Sequence, residues 1–260
     1  MESVLYLIPC TLGDTPIEQV LPPYNVEVIR QIRHFIVEEV RTARRFLRRV
    51  DREFPIDDCV FYEMGKRASS EHKAKISSAL SSREGGRPQV KHADEHRFAS
   101  YLEPIADGLP VGVISEAGCP AVADPGADVV AIAQRRGIRV IPLVGPNSMV
   151  LAVMASGLNG QSFAFNGYLP IDEGERARRL QVLEKRSLHE HQTQLFIETP
   201  YRNRRLYDTL LRTLSAKTRL CIAAGITTEE EWIRTHTIAE WRKQELPDLS
   251  KVPAIFLFLA

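Results

Sequence analysis

The stretch Val111-Gly112-Val113-Ile114 gives way abruptly to Ser115-Glu116-Ala117-Gly118-Cys119-Pro120-Ala121-Val122-Ala123-Asp124-Pro125-Gly126, and this break constrains the fold more than any other feature. A β-branched apolar run of this kind reads as a buried parallel strand. Gly118, Pro120, Pro125 and Gly126 cannot continue it and dictate turns. Residues 126–136 then alternate small and apolar side chains as a packed helix, Gly137 ends it, and residues 138–144 read as the next strand. Strand, helix, strand at this spacing is a βαβ unit. Ligands of open α/β sheets bind where loops leave the carboxyl ends of strands, so the loop over 115–126 is the first candidate site.

The flanking sequence extends the pattern in both directions. Leu5–Ile8 reads as a first strand followed by the turn Pro9-Cys10-Thr11-Leu12-Gly13-Asp14, and residues 15–33 as loop and helix. His34–Val37 is a short strand, 41–50 a strongly helical Arg/Ala/Leu segment, and 57–63 another strand. Between 66 and 97 periodicity is weak; the expectation is a helix over 71–80, a mobile loop over 81–91 and a helix over 93–102. Gly145-Pro146-Asn147-Ser148 turns the chain into a helix over 149–156 closed by Gly157. Beyond it, strands are predicted at 162–165, 194–198, 219–223 and Ala254–Leu259, a further strand or hairpin at 229–237, and helices over 173–185 and 203–214. The expected architecture is two α/β domains, 1–145 with a largely parallel sheet and 146–260 with a mixed sheet.

A length of 260 residues with 44% hydrophobic content supports a real core. No run approaches the ~20 apolar residues of a spanning helix. Met1–Pro9 lacks the basic leader and apolar core of a signal peptide, so the cytoplasm is the default compartment. Cys10, Cys59, Cys119 and Cys221 are scattered and form no CxxC pair, which argues against a zinc site or a disulfide framework. The histidines lack companions at ligand spacing, and no metal is expected. Net charge is only +1, yet residues 30–52 hold eight arginines against Glu38, Glu39 and Asp51, and 66–97 hold eight Lys or Arg against four acids. Localised positive charge attracts nucleic acid, the alternative being a solvated helix face. Arg41, Arg44, Arg45 and Arg48 fall at spacings of three or four and can share one face.

Four strand ends carry unusual turns: 9–14, 115–126, 145–148 and Glu198-Thr199-Pro200-Tyr201. Small residues there let the main chain approach a ligand closely. GxGxxG, GxxxxGK[ST], GxSxG and HExxH are all absent, so neither a dinucleotide fingerprint, a P-loop, a serine-hydrolase elbow nor a zincin helix is present. On residues alone, Asp124 caps the following helix. Glu116 caps a turn or meets a ligand, Glu198 is paired or in the site, and Trp232 and Trp241 are core or interface packing.

Taken together, Ser115-Glu116-Ala117-Gly118-Cys119-Pro120 with Ala123-Asp124-Pro125-Gly126 resembles the signature loop of the tetrapyrrole methylase family of S-adenosylmethionine-dependent methyltransferases. Within it the chain looks most like the branch that methylates a ribose 2′-hydroxyl of small-subunit ribosomal RNA. Matching segments are Gly145-Pro146-Asn147-Ser148, Ala155-Ser156-Gly157-Leu158, Phe165-Asn166-Gly167-Tyr168-Leu169-Pro170 and Glu198-Thr199-Pro200-Tyr201-Arg202. The resemblance implies two α/β domains with the methyl donor, S-adenosyl-L-methionine, in the cleft between them, in a homodimer. It would place Leu12, Ser115, Glu116, Ala117, Cys119, Ser148, Met149, Ile197, Glu198, Ala224 and Ala254 at the donor.

The acceptor side departs from the branch. Its acidic-acidic-Thr-Arg motif becomes Glu38-Glu39-Val40-Arg41, without the threonine, and Met64-Gly65-Lys66-Arg67-Ala68-Ser69 stands where the branch has Tyr-His-Glu-His-Asn. Cys119 stands where threonine is usual. Glu39, Arg41, Arg44, Lys66 and Arg67 are the candidate acceptor contacts, and no general base is assigned. The expected function is O-methylation of ribosomal RNA. The alternatives are the same chemistry on a tetrapyrrole or other small molecule, a non-catalytic binding protein, or a nucleotide-dependent oxidoreductase.

Overall fold

The computed structural model describes residues 4–64 and 92–260. The chain divides after Pro146 into two compact units. In the first, β1 (Leu5–Ile8), β2 (His34–Val37), β3 (Val60–Glu63), β4 (Val111–Ile114) and β5 (Val140–Pro142) form one sheet in the order β3-β2-β4-β1-β5. Every pairing in it is parallel. Helices α1 (Ile17–Val20), α2 (Pro23–Gln31), α3 (Val40–Val50), α4 (His92–Ser100), α5 (Glu103–Ala106) and α6 (Gly126–Arg135) lie along the connections.

A parallel sheet covered on both faces needs apolar residues at every position, which is why its strands carry unbroken runs. Tyr6 and Ile8 enter one core with Phe35, Val37, Phe46, Leu47 and Phe54. Leu5 points the other way, into a core with Ile36, Val111, Val113, Val129 and Phe98. α3 contributes Ala43, Phe46 and Leu47, which gather on one side at ~100° per residue.

Several expected boundaries move for identifiable reasons. The strand expected over 57–63 begins only at Val60, because Ile56–Asp58 forms a 3-10 turn after Pro55. The strand expected over 138–144 contracts to Val140–Pro142, whose ladder with β1 stops at Pro142, a residue without an N–H. Within 15–33 there are two helices rather than one, since Pro22-Pro23 must begin a new one. The helix expected over 71–80 and the loop over 81–91 lie outside the described residues, as do Lys66 and Arg67.

In the second unit, β6 (Phe163–Tyr168), β7 (Thr193–Ile197), β8 (Arg219–Ala224), β9 (Trp232–Thr237) and β10 (Ala254–Leu259) form a sheet in the order β6-β7-β10-β8-β9. β6 and β7 are parallel and the remaining pairs antiparallel, so the sheet is mixed. Its helices are α7 (Ser148–Ser156), α8 (Glu173–Glu190), α9 (Asn203–Thr213) and α10 (Ile238–Trp241). The expectation of two α/β units, one sheet parallel and the other mixed, therefore holds.

Here too the ends differ from the sequence reading. β6 continues past 165 because an irregularity between Phe165 and Tyr168, with Gly167 at φ 65°, absorbs the register shift. α8 continues past 185 to Glu190, helped by the Arg186–Glu190 pair one turn apart and by Ser187, which is fully buried. α10 falls outside the predicted helices, although Thr237-x-x-Glu240 is a complete capping box. Trp241 is core, with its indole N–H on the Leu220 carbonyl at 2.8 Å, and Trp232 packs against it. No helix among the described residues is long and apolar enough to cross a membrane.

Candidate functional site

Strand order puts β4 beside β1, yet the chain leaves β1 toward β2 and leaves β4 toward β5. Loops that depart in opposite directions from adjacent parallel strands open a crevice at their carboxyl ends. Ile8 and Val37 both sit level with Ile114, so the loops after β1, β2 and β4 emerge on one edge. Just beyond it, the Cys10 N–H donates to the Gly118 carbonyl at 2.9 Å and the Gly118 N–H returns a bond to Cys10 at 3.2 Å. The two loops are thereby stitched together. Gly118 has φ +70°, and a Cβ placed there would sit 3.1 Å from Leu12 Cδ2 and 3.4 Å from the Pro146 carbonyl. Cys10 is buried, and burial raises its thiol pKa, so it serves as an apolar support rather than a nucleophile.

Each residue of the loop has a distinct task. Ser115 is buried, and its hydroxyl donates within the loop to the Ala117 and Gly118 carbonyls, both at 3.3 Å. Its side chain shapes the turn. Glu116 and Ala117 are exposed. The Glu116 N–H donates to Glu38 Oε1 at 3.2 Å, and Glu116 Oε1 accepts the Thr42 hydroxyl at 2.7 Å. The first turn of α3 thus holds the acidic residue of the loop in place. Sequence reading missed Thr42: the hydroxyl lost from the acidic motif reappears one residue beyond Arg41, on the same helical turn. Glu38 was visible as a charge, and its role as an acceptor for the loop was not.

Cys119 points its thiol at the Pro146 carbonyl, 3.5 Å away. Gly145 lies so close to Pro9 that a Cβ would come within 2.3 Å of the ring, which explains the glycine there. Ala121 and Ala123 hold φ of 65° and 63°. Left-handed alanines cost roughly 1–2 kcal/mol each. Asp124 offsets this by accepting the Ala121 N–H at 2.9 Å and the Gly126 N–H at 2.7 Å on one oxygen.

Burial pushes the Asp124 pKa up to about 6 from 3.8, with Glu38 adding to the rise and the two N–H bonds opposing it. The folded chain then keeps this proton to higher pH than the unfolded chain does. The stabilisation is fully present below pH 3.8 and is lost as pH rises through about 6. An asparagine in its place could accept the same two bonds without titrating. Urea denaturation of wild type and Asp124→Asn across pH 4–7 should therefore show their difference changing by about 2–3 kcal/mol, the wild type losing stability as pH rises. Parallel curves would show that the carboxyl does not titrate there.

In the second unit, Ile197, Ala224 and Ala254 fall at one end of the sheet, because Ile197 pairs with Ile255 and Ala254 with Ala224. Glu198 follows directly. Its buried carboxylate meets Arg202 at 2.8 Å and the Thr199 N–H at 2.7 Å. The Thr199 hydroxyl also reaches it, and all three partners use Oε1. Glu198 is thus paired through one carboxylate oxygen. Ser148 opens α7 behind the cap Asn147, whose side chain accepts the Met149 N–H at 3.0 Å. Ser148 and Met149 are both half-buried. Among the described residues no group of His, Cys, Asp and Glu could hold a metal.

The acceptor-side candidates separate. Glu39 stands at the N-cap position of α3 without a side-chain capping bond and Arg41 is exposed on the first turn, while Arg44 is drawn to Asp57 at 3.1 Å.

The fold is shared with solved methyltransferases. The crystal structure of the methyltransferase CobJ matches with TM-score 0.56 at 16% identity, covering 98% of this chain and 93% of that one. The native uroporphyrin III C-methyl transferase of Thermus thermophilus matches with TM-score 0.51 at 16% identity, covering 98% and 96%. By sequence, the relatives are proteins named ribosomal RNA small subunit methyltransferase I. The one from Mesorhizobium japonicum is 32% identical over 168 residues, 63% of this chain and 56% of that protein. Its Vibrio cholerae counterpart is 30% identical over 149 residues, 57% and 50% of the two chains. That of Pseudomonas aeruginosa is 29% identical over 220 residues, 85% and 66%. The chain spans about half the length of the first of these relatives. No family profile matches it.

Proposed function

We propose that this protein is an S-adenosylmethionine-dependent methyltransferase acting on a ribose hydroxyl of small-subunit ribosomal RNA. The observation that carries the reading is the edge where the loops after β1, β2 and β4 converge, stitched by the Cys10–Gly118 pair with Glu116 and Ala117 exposed on it. The residues there suit the donor. Ala117 and Gly118 let backbone groups come close, Leu12 supplies an apolar wall, and Glu116 places negative charge where a sulfonium would be favoured. Ser115 and Cys119 contribute backbone and shape. In the second unit, Ser148, Met149, Ile197, Ala224, Ala254 and Glu198 are further proposed donor contacts.

The donor brings an already activated methyl group. The chain's task is to orient an oxygen in line with it and exclude water. A neutral hydroxyl is a poor nucleophile, so the acceptor also has to lose its proton as it attacks. Glu39 and Arg41, at the start of the helix whose Thr42 holds Glu116, are the proposed acceptor contacts, with Lys66 and Arg67 as further candidates from the sequence; none is assigned as base. The relatives named for small-subunit ribosomal RNA support this acceptor over a tetrapyrrole. The reading includes a homodimer working in the cytoplasm.

Tritium from methyl-labelled donor should appear in the RNA of small-subunit particles incubated with the protein. Donor binding without label in RNA would remove this acceptor.

A further inference from the structure

The arginines of residues 30–52 are not equivalent once placed in the fold. Arg30 is tied to Asp51, Arg33 to the Arg30 and Ile32 carbonyls, and Arg49 to Asp14 and the Thr15 carbonyl. These are structural. Arg41 and Arg45 are exposed and make no hydrogen bond or ion pair among the described residues. Arg48, also exposed, donates among the described residues only to the Arg52 carbonyl.

Helical spacing puts these three together. At ~100° per residue, Arg45 and Arg48 lie within about 40° of Arg41 around the helix axis. Ala43, Phe46, Leu47 and Val50 lie on the opposite side, facing the core. The stripe runs about 10 Å along α3, the rise of roughly three nucleotides in one strand of a duplex.

This pattern costs the helix something. α3 contains five arginines and no acid, so Arg41/Arg45 and Arg44/Arg48 are like-charge pairs one turn apart, which destabilise a helix by ~0.2–0.5 kcal/mol each. An ordinary solvated face alternates signs instead. The choice of arginine throughout also matters, since its planar fork grips phosphate oxygens in pairs. The first turn of the same helix holds Glu116 through Thr42, so a strand lying along the stripe is led toward the candidate donor loop.

We infer that Arg41, Arg45 and Arg48 form a track for the phosphodiester backbone of RNA. The inference deepens the proposed function and rests on it for the class of nucleic acid. It also accounts for an acceptor side that departs from the family motif: affinity would come from phosphates rather than from base contacts.

The test is fluorescence anisotropy of the full chain with a labelled 20-nucleotide uridine RNA over a range of salt. Arg41→Gln/Arg45→Gln should weaken binding at least tenfold at low salt. Its slope of log K against log salt should be shallower by about 1.4, two single-strand phosphate contacts. Arg41→Lys/Arg45→Lys should keep the slope, because a phosphate accepts either cation, and Arg204→Gln in the second unit should change nothing. S-adenosylhomocysteine affinity of the glutamine variant should match wild type, showing that the chain is folded.

Wild-type slope and affinity in the glutamine variant, or no RNA binding by wild type, would overturn the track. So would equal competition by polyglutamate, which would assign the face to an acidic protein. Stripe-dependent RNA binding without methylation of small-subunit particles would keep the track and sink the ribosomal acceptor. Methylation with an unchanged RNA KM in the glutamine variant would do the reverse.

Discussion

Replacing Gly118 with valine is expected to weaken S-adenosylhomocysteine binding more than tenfold. Gly118 sits at φ +70°, where a residue other than glycine costs roughly 1–2 kcal/mol and a β-branched one more. The new Cβ would lie 3.1 Å from Leu12 Cδ2 before its methyls are counted. Either Leu12 moves or the paired backbone bonds between Cys10 and Gly118 lengthen, and both responses displace proposed donor contacts. A loss of about 1.4 kcal/mol is already tenfold in affinity. Isothermal titration reads this directly, and Gly118→Ala should fall between the two. Unchanged affinity in the valine variant would mean that this loop does not hold the donor.

Replacing Trp241 with alanine is expected to remove about 3–5 kcal/mol of stability, the range for truncating a buried aromatic. Trp241 is 1% exposed and packs edge-on against Tyr207 and His236, with Trp232 beside it. Its loss also removes the indole hydrogen bond to the Leu220 carbonyl, adding about 1 kcal/mol. Urea denaturation followed by circular dichroism should show the midpoint falling with the slope nearly constant. Trp241→Phe should recover much of the packing without the hydrogen bond. A deficit below about 1 kcal/mol for the alanine variant would show that the second core closes over the gap.

The strands of the first sheet were legible because burial on both faces writes an unbroken apolar run, as at Val111–Ile114, and because Gly and Pro mark where each run must stop. What could not be read was pairing. Nothing local says that β4 inserts between β2 and β1, yet that insertion creates the edge where the site sits. Lengths failed where long-range contacts overrode composition: the polar end of α8 persists because Ser187 is buried, and β6 persists because Gly167 takes up a register shift. For the site, composition exposed Glu116, Ala117 and Gly118 as a turn of small residues around a carboxylate. It could not show that Ser115 turns inward or that Glu198 is held by Arg202, since both depend on partners fixed only by the fold. Thr42 was hidden for the same reason, its hydroxyl being 74 residues from the carboxylate it serves.

Arginine segregation on α3 illustrates the opposite case. Spacing alone grouped Arg41, Arg44, Arg45 and Arg48 on a face. Only the partners divided them, with Asp57 claiming Arg44 and nothing among the described residues claiming Arg41 or Arg45.

The central claim is that the edge formed by the loops after β1 and β4 serves a methyl donor. Titrating the full chain with S-adenosylhomocysteine in a calorimeter tests it most directly. The account predicts saturable binding with one site per chain, weakened when Ala117 becomes valine; heat no greater than dilution at millimolar ligand would contradict it.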